Sequence, residues 1–368
     1  MVIITQDFFP DIGGITTWVH EFARHLLSAG CEVTVVTKSF DGYDGSEPAP
    51  YPVVRLDHRE WKKHKYGRIR KAIAPLVRGD TVFLCANWKM ALPCLLLSYT
   101  TRIRYFVAVH GLDALEARFK NRLLQQLTLW RANAVLPVSR YTASLIRMPR
   151  LHKSGRVHVL PNGVDLETFE PRERKAAIES KYNLQPGVRI LNIGRLIPRK
   201  GFDMTIRAMA LVQDRSVHFY IGGTGPYEGT LRNLVAELGL EKRVTFLGFV
   251  ADEDLVDVYN ASDIFCMPSR ALPLNVEGFG LTYLEAAACG VPSIGGRNSG
   301  AEDAIVHEAT GLLVDAESPE AIAEAIDRLS SDEELRRKLG ENALKRVRES
   351  FGWQHATERL LGVLRDAD

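Results

Sequence analysis

The chain has 368 residues, 46% of them apolar and 25% charged, with a formal net charge of +2. That length suits two domains better than one core, and the composition is that of a soluble globular protein, which excludes fibrous and disordered classes. The five cysteines, Cys31, Cys85, Cys94, Cys266 and Cys289, form no C-x-x-C pair and no disulfide-like framework, so a reducing compartment is expected.

The N-terminus, MVIITQDFFP, lacks the basic region and long apolar core of a signal peptide, and no uninterrupted apolar run approaches the ~20 residues of a membrane span. A cytoplasmic location is the expectation. Charge is unevenly spread: residues 1–165 hold 23 Lys+Arg against 13 Asp+Glu, and the remainder 24 against 32. The first half is therefore expected to meet an anionic partner.

Val2–Thr5 reads as a short buried strand, Gln6–Gly14 as a turn-rich loop, and the next segment as a helix with Trp18, Phe22, Leu26 and Leu27 on one face. With a strand at Val33–Thr37 the chain opens as a βαβ unit whose first loop carries Gly13 and Gly14. Two adjacent glycines after a strand also serve a tight turn. Strands at Val53–Leu56, Thr81–Cys85 and Tyr105–Val109 follow, with helices between. His110 directly succeeds the last of these. A polar residue there points into the crevice where open α/β sheets bind ligands, or simply caps the loop.

Between Arg59 and Arg78, Trp61, Tyr66 and Ile69 are interleaved with Arg59, Lys62, Lys63, Lys65, Arg68, Arg70, Lys71 and Arg78, and Arg118, Lys120 and Arg122 form a second basic cluster. This pattern fits a solvated face, or a face meeting an anionic membrane while its apolar residues enter the interface. No nucleic-acid partner is expected. Ala134–Pro137 is a further strand, Ser139 starts a helix, and a strand at Val157–Leu160 leads to PNGVD. Pro161, Asn162 and Gly163 break the chain where it turns acidic, which places a domain boundary between 1–163 and 164–350.

The second part repeats the design. Arg189–Ile193 is a strand, and Arg195 and Lys200 lie in the loop GRLIPRKG before a helix starting near Phe202. Two cations at a strand's end fit a diphosphate, and a solvated basic turn also accommodates them. His218–Ile221 runs into GGTGPYEG, a superficial dinucleotide fingerprint with Glu228 where the third glycine should fall; it is read as a tight turn, the third βα turn of its domain. After a strand at Val244–Leu247, the acids Asp252, Glu253 and Asp254 begin a helix, where the dipole explains them. No metal and no cofactor are expected.

From Ile264–Met267 the chain passes Pro268 into a loop holding Glu277, Gly278, Phe279 and Gly280, then a helix carrying Leu281, Leu284 and Glu285. Free backbone amides and the positive helix end at Gly280 make an anion site, and glycine lets a phosphate approach the main chain. Glu277 and Glu285, eight residues apart and so about 12 Å along a helix, suit a ligand with hydroxyls at both ends and an anion between. Leu312–Val314 is a strand, followed by helices near Pro319–Leu329 and Glu333–Glu349 and an amphipathic last segment from Phe351.

The E-x7-E arrangement around GFG, followed by EAAACGVP, resembles the GT-B retaining glycosyltransferases of family 4, and the likeness extends over nearly the whole chain. It implies an α/β chain of two Rossmann-like domains facing across a cleft, with an N-terminal acceptor-side domain and a C-terminal nucleotide-sugar domain. A terminal helix of about 351–368 would cross back to the first. It further implies a metal-independent transfer of a hexosyl group, with retention, from GDP-mannose or a UDP-sugar to a hydroxyl of a lipid-linked or saccharide acceptor. In such a site Arg195 and Lys200 contact the diphosphate, with Gly13 and Gly14 near it. Glu277 and His110 contact the sugar, Gly278 to Leu281 contact the phosphates through their amides, and Glu285 contacts the ribose. Arg270 to Val276 lengthens the usual approach to the first glutamate, as in the branch resembling bacterial phosphatidylinositol mannoside mannosyltransferases. A nucleotide-sugar 2-epimerase or a non-catalytic partner subunit shares the architecture. Peripheral attachment at the inner face of the membrane would bring the enzyme to a lipid-linked acceptor.

Overall fold

The computed structural model describes residues 1–11, 13–43, 49–116, 118–273 and 275–367, leaving the side chains of 58–60, 62 and 63 outside that description. The chain divides into two compact units, 1–163 with 353–368, and 164–352. Each is a six-stranded, wholly parallel sheet covered by helices.

In the first unit the strands are β1 Val2–Ile4, β2 Thr34–Lys38, β3 Val53–Leu56, β4 Val82–Cys85, β5 Arg104–Val109 and β6 Ala134–Pro137. They lie in the order β3-β2-β1-β4-β5-β6. Register sets Ile3 beside Val35 on one side and Leu84 on the other. Strands buried on both faces read as short apolar runs without alternation. Helices wind in opposite directions from β1, so the order reverses between β1 and β4, and loops after strands at such a reversal form a binding crevice. Residues Val157–Leu160, expected as a strand, pair only loosely: Val157 bridges Val135, and the amides of His158 and Leu160 donate to Val135 and Pro137 at 2.9 Å each. The Trp353–Asp366 helix belongs to this unit, with Trp353 edge-on to Phe22 at 5.4 Å and Arg104 donating to the Leu364 carbonyl.

The core of this unit takes in Trp61 and Ile69 from the helix His58–Ile73. That corrects the expectation that they enter a membrane interface, because both are buried, and Tyr66 packs partly against the same core. Leaving that core would forfeit about 1.5–3 kcal/mol per large apolar side chain. Arg70, Lys71 and Arg78 are exposed; the side chains of Arg59, Lys62 and Lys63 lie outside the described residues.

The second unit has β7 Arg189–Ile193, β8 His218–Gly222, β9 Val244–Gly248, β10 Ile264–Met267, β11 Ser293–Gly296 and β12 Gly311–Val314, in the order β12-β11-β10-β7-β8-β9. Its reversal lies between β7 and β10. GGTGPYEG therefore opens the second βα turn of its unit, not the third. Strand β11 adds to the expected set, a serine, Ile294 and two glycines held between β10 and β12. The chain enters and leaves this unit side by side, the Val164 amide donating to the Phe351 carbonyl at 2.8 Å. Among the described residues no helix is long and apolar enough to cross a membrane.

Candidate active site

In the second unit the reversal brings two loops together. After β7, the turn Pro198–Lys200 ends at Gly201, whose φ is +73° and whose hypothetical Cβ would sit 2.2 Å from the Pro268 carbonyl oxygen. Only glycine fits there, for both reasons. The contact pins the basic turn against the end of β10, and the Arg199 carbonyl accepts from the Arg270 amide at 3.0 Å. Glu277, buried, is thereby met by Lys200 Nζ at 2.8 Å and by Arg199 Nη1, with Ser269 Oγ 3.4 Å away. Burial alone would raise the Glu277 pKa, but the charges of Lys200 and Arg199 outweigh it and hold the carboxyl below its ordinary value. A buried carboxylate with two cations is compensated rather than costly.

Glu277 lies on the loop, as expected, and the helix runs over Leu281–Ala288, so the helical rise of about 12 Å over eight residues does not set the separation of the two glutamates. Gly280 precedes that helix with φ +87°, and no side chain caps its amides. Gly300 packs so tightly that a Cβ there would fall 2.3 Å from the Gly278 carbonyl, and its amide donates to the Glu277 carbonyl at 3.0 Å. The Gly278–Leu281 main chain is thus held from behind. Phe279 is buried, so only its backbone can meet a ligand. Glu285, on the same helix, accepts from Tyr259 Oη at 2.7 Å; burial raises its pKa, and Tyr259 and Lys200 counter part of that rise.

Lys200, Glu277 and the Gly280 helix end are brought together. Arg195 is exposed and has no ion pair among the described residues. Arg199 was not anticipated, although it adjoins Lys200 in GRLIPRKG; a 3₁₀ turn aims both at one carboxylate. The long loop is tied down as well: Arg270 Nη2 lies 2.8 Å from buried Asp203, and Leu272 pairs with Asn275. Leu274 lies outside the described residues. Of the three acids at the next helix, Asp254 is engaged by Lys181 at 2.5 Å and Tyr182 at 2.7 Å, a stronger reason for its presence than the dipole alone.

In the first unit Gly13 and Gly14 are exposed at the start of the helix Gly14–Ser28, which has no side-chain cap. His110 follows β5, and its ring lies edge to face with Trp18 at 5.1 Å. Burial pushes its pKa down to about 4, while a hydrogen bond with Ala86 acts in the opposite sense. Trp18 Nε1 and His110 Nε2 are buried without a hydrogen-bond partner among the described residues. The bond to the Ala86 carbonyl therefore falls to Nδ1, and neutral His110 presents Nε2 as an acceptor. The His110 amide donates to Asp113 Oδ1 at 2.7 Å.

A model described as "Glycosyltransferase Family 4" matches residues 12–168, and one described as "Glycosyl transferases group 1" matches residues 175–346. The chain is 30% identical over 388 residues, covering 100% of itself and 98% of the relative, to the GDP-mannose-dependent alpha-(1-6)-phosphatidylinositol monomannoside mannosyltransferase of Mycobacterium tuberculosis H37Rv. A Corynebacterium glutamicum protein, a GDP-mannose-dependent monoacylated alpha-(1-6)-phosphatidylinositol monomannoside mannosyltransferase, is 29% identical over 99% of this chain and 97% of its own length. Among solved structures, sucrose-phosphate synthase from Thermosynechococcus elongatus superposes with a TM-score of 0.82 at 24% identity, covering 99% of this chain and 98% of that one. Anabaena HepE in complex with UDP and glucose gives 0.83 at 18%, covering 99% of each. These likenesses show the GT-B fold.

Proposed function

The chain belongs to the family 4, group 1 glycosyltransferases, and from that premise we propose that it transfers mannose from GDP-mannose, with retention, to a hydroxyl of a lipid-linked acceptor. The names of the relatives that match along the whole chain support the donor and the acceptor class. The observation that carries the chemistry is the cluster of Lys200, Arg199 and Glu277 beside the uncapped helix at Gly280.

Cleavage of the bond between the sugar's anomeric carbon and the diphosphate leaves the electron pair on the departing phosphate oxygen. Lys200, Arg195 and the amides of Gly278 to Leu281 are assigned to that developing charge, with Gly13 and Gly14 of the first unit assisting. The acceptor oxygen forms the new bond and its proton leaves with the diphosphate. Glu277, kept ionised by its two cations, accepts hydrogen bonds from sugar hydroxyls, and neutral His110 accepts one at Nε2. Glu285 is assigned to the ribose. The first unit is taken as the acceptor side, and its basic surface as the part that meets an anionic membrane from the cytoplasmic side.

Incubation with GDP-mannose and with UDP- and ADP-sugars, with and without a phosphatidylinositol mannoside acceptor, tests this reading. Mannosylated lipid from GDP-mannose alone is expected. Conversion of a UDP-sugar without any acceptor would overturn it in favour of an epimerase. Glu285→Ala is expected to weaken binding of free GDP by about 10-fold or more, the scale of one charge-assisted hydrogen bond; equal affinity by calorimetry would remove Glu285 from the ribose. Transfer is expected to survive EDTA, since Asp254 is held by Lys181 and Tyr182 and the diphosphate charge is met by cations and amides. Complete loss restored by Mg²⁺ or Mn²⁺ would overturn the metal-independent assignment.

A further inference from the structure

The helix Phe119–Arg131 of the first unit is turned the wrong way round for a soluble protein. Its buried face carries Gln125, Thr128 and Leu129. The polar members of that face are satisfied: Gln125 Nε2 donates to the Asp113 carbonyl at 2.6 Å, Thr128 Oγ1 to the Leu124 carbonyl at 2.7 Å, and Tyr105 Oη to the Thr128 carbonyl at 2.8 Å. Its outer face carries Phe119 at 81% exposure, Leu123 at 61%, Trp130 at 42% and Leu127 at 40%. At 3.6 residues per turn these four fall within an arc of about 80°. Leu124, also exposed, lies beside them. Packing among the described residues of this unit leaves that stripe uncovered, and contiguous apolar surface of this kind marks an interaction site.

The flanks of the stripe are cationic. Lys120 and Arg131 border one side and Arg122 the other, all exposed, and the helix contains no acidic residue. The surface continues onto Tyr99, 59% exposed, over whose ring the Arg131 guanidinium sits at 4.8 Å. Arg156 lies over the Trp130 ring at 4.9 Å. Both arginines line a cavity of about 530 Å³ together with His158 and the carboxylate-bearing Asp366.

We propose that this helix docks the chain on an anionic lipid surface, its apolar stripe lying in the interface and its flanking cations meeting the headgroups. An interfacial helix has this build, with long basic side chains reaching outward from an apolar seam. A second copy of the chain is the poorer occupant: twofold pairing of this face would set the same cations against each other across the contact. The proposal rests on the lipid-linked acceptor assigned above for its purpose, but the docking itself is measured without acceptor.

The test is co-sedimentation of the full chain with vesicles of phosphatidylcholine alone and of phosphatidylcholine with phosphatidylglycerol. Binding to the anionic vesicles, weakened by salt, is expected. The variant Phe119→Ser/Leu123→Ser/Leu127→Ser is expected to lose on the order of 100-fold or more in partitioning, from the apolar area removed, while still transferring to a water-soluble, short-chain acceptor. Tryptophan emission should shift blue on vesicle binding, and Trp130→Phe should remove most of that shift. Unchanged binding in the triple variant would overturn the proposal. So would binding lost only when Lys62, Lys63, Arg70 and Lys71 are changed to Ser, which would move docking to the His58–Ile73 helix. Sedimentation velocity showing a dimer abolished by the triple variant, without vesicle binding, would assign the face to a second copy and also overturn it. Failure to transfer sugar to any acceptor, with vesicle binding as expected, would instead strike the proposed function and leave the docking helix standing.

Discussion

Lys200→Ala is expected to lower kcat by roughly 10²- to 10³-fold, the scale of removing one oriented electrostatic group from a transition state. Lys200 and Arg199 both neutralise buried Glu277. Removing one cation therefore leaves that carboxylate paired, and the fold is expected to persist. The loss appears where charge develops on the departing diphosphate, which Arg199 alone, already engaged by Glu277, does not replace. Arg195→Ala is expected to fall in the same range, because its exposed guanidinium at the end of β7 is assigned to the same charge. Arg199→Ala separates the two roles: it should cost stability more than rate, by loosening the Glu277 pair. The measurement is kcat at saturating donor under conditions where chemistry limits turnover. An unchanged kcat in both Lys200→Ala and Arg195→Ala would remove the diphosphate from this loop.

The parallel sheets were legible because most strands are short, largely apolar runs buried on both faces, as in Arg189–Ile193 and Ala134–Pro137. Strand β11 escaped because Ser293–Gly296 holds a single β-branched residue, Ile294, between a serine and two glycines. It is a strand by virtue of its neighbours, Phe265 pairing with Ser293 on one side and Val314 with Gly296 on the other. The GT-B fold could be read from the E-x7-E stretch and its surroundings. The convergence of Arg199 with Lys200 on Glu277 could not, since it depends on a 3₁₀ turn and on the contact of Gly201 with Pro268. The two helices with apolar residues at helical spacing show the limit most clearly. Trp61 and Ile69 sit among cations yet enter the core, while Phe119, Leu123 and Trp130 have the spacing of a core face yet point to solvent. Periodicity shows that a helix has an apolar face, and only tertiary packing decides whether that face is covered.

The turn after β5 should reveal itself through stability rather than rate, because its two ionisable groups titrate against each other. Burial lowers the His110 pKa to about 4 from an ordinary 6.5, so between those values the unfolded chain binds the extra proton and stability rises with pH. Burial raises Asp113 to about 7 from 3.8, so between those values the folded chain binds the extra proton and stability falls as pH rises. From about pH 4 to 6.5 the two slopes, each at most about 1.4 kcal/mol per pH unit, oppose and nearly cancel. The other charges near the turn are Lys89, which favours the Asp113 carboxylate, and Glu116, 3.6 Å from Lys89. Removing one partner should therefore unmask the other. His110→Asn is expected to lose stability as pH rises from 4 to 6.5, relative to the parent chain, and Asp113→Asn to gain it. The two variants should diverge by several kcal/mol across that interval. Urea unfolding of both variants and the parent at half-unit pH steps measures this. Parallel profiles in all three proteins would show that neither group is held as buried as its place beside Trp18 and below the His110 amide indicates, and the neutral His110 assigned to the sugar would lose its basis.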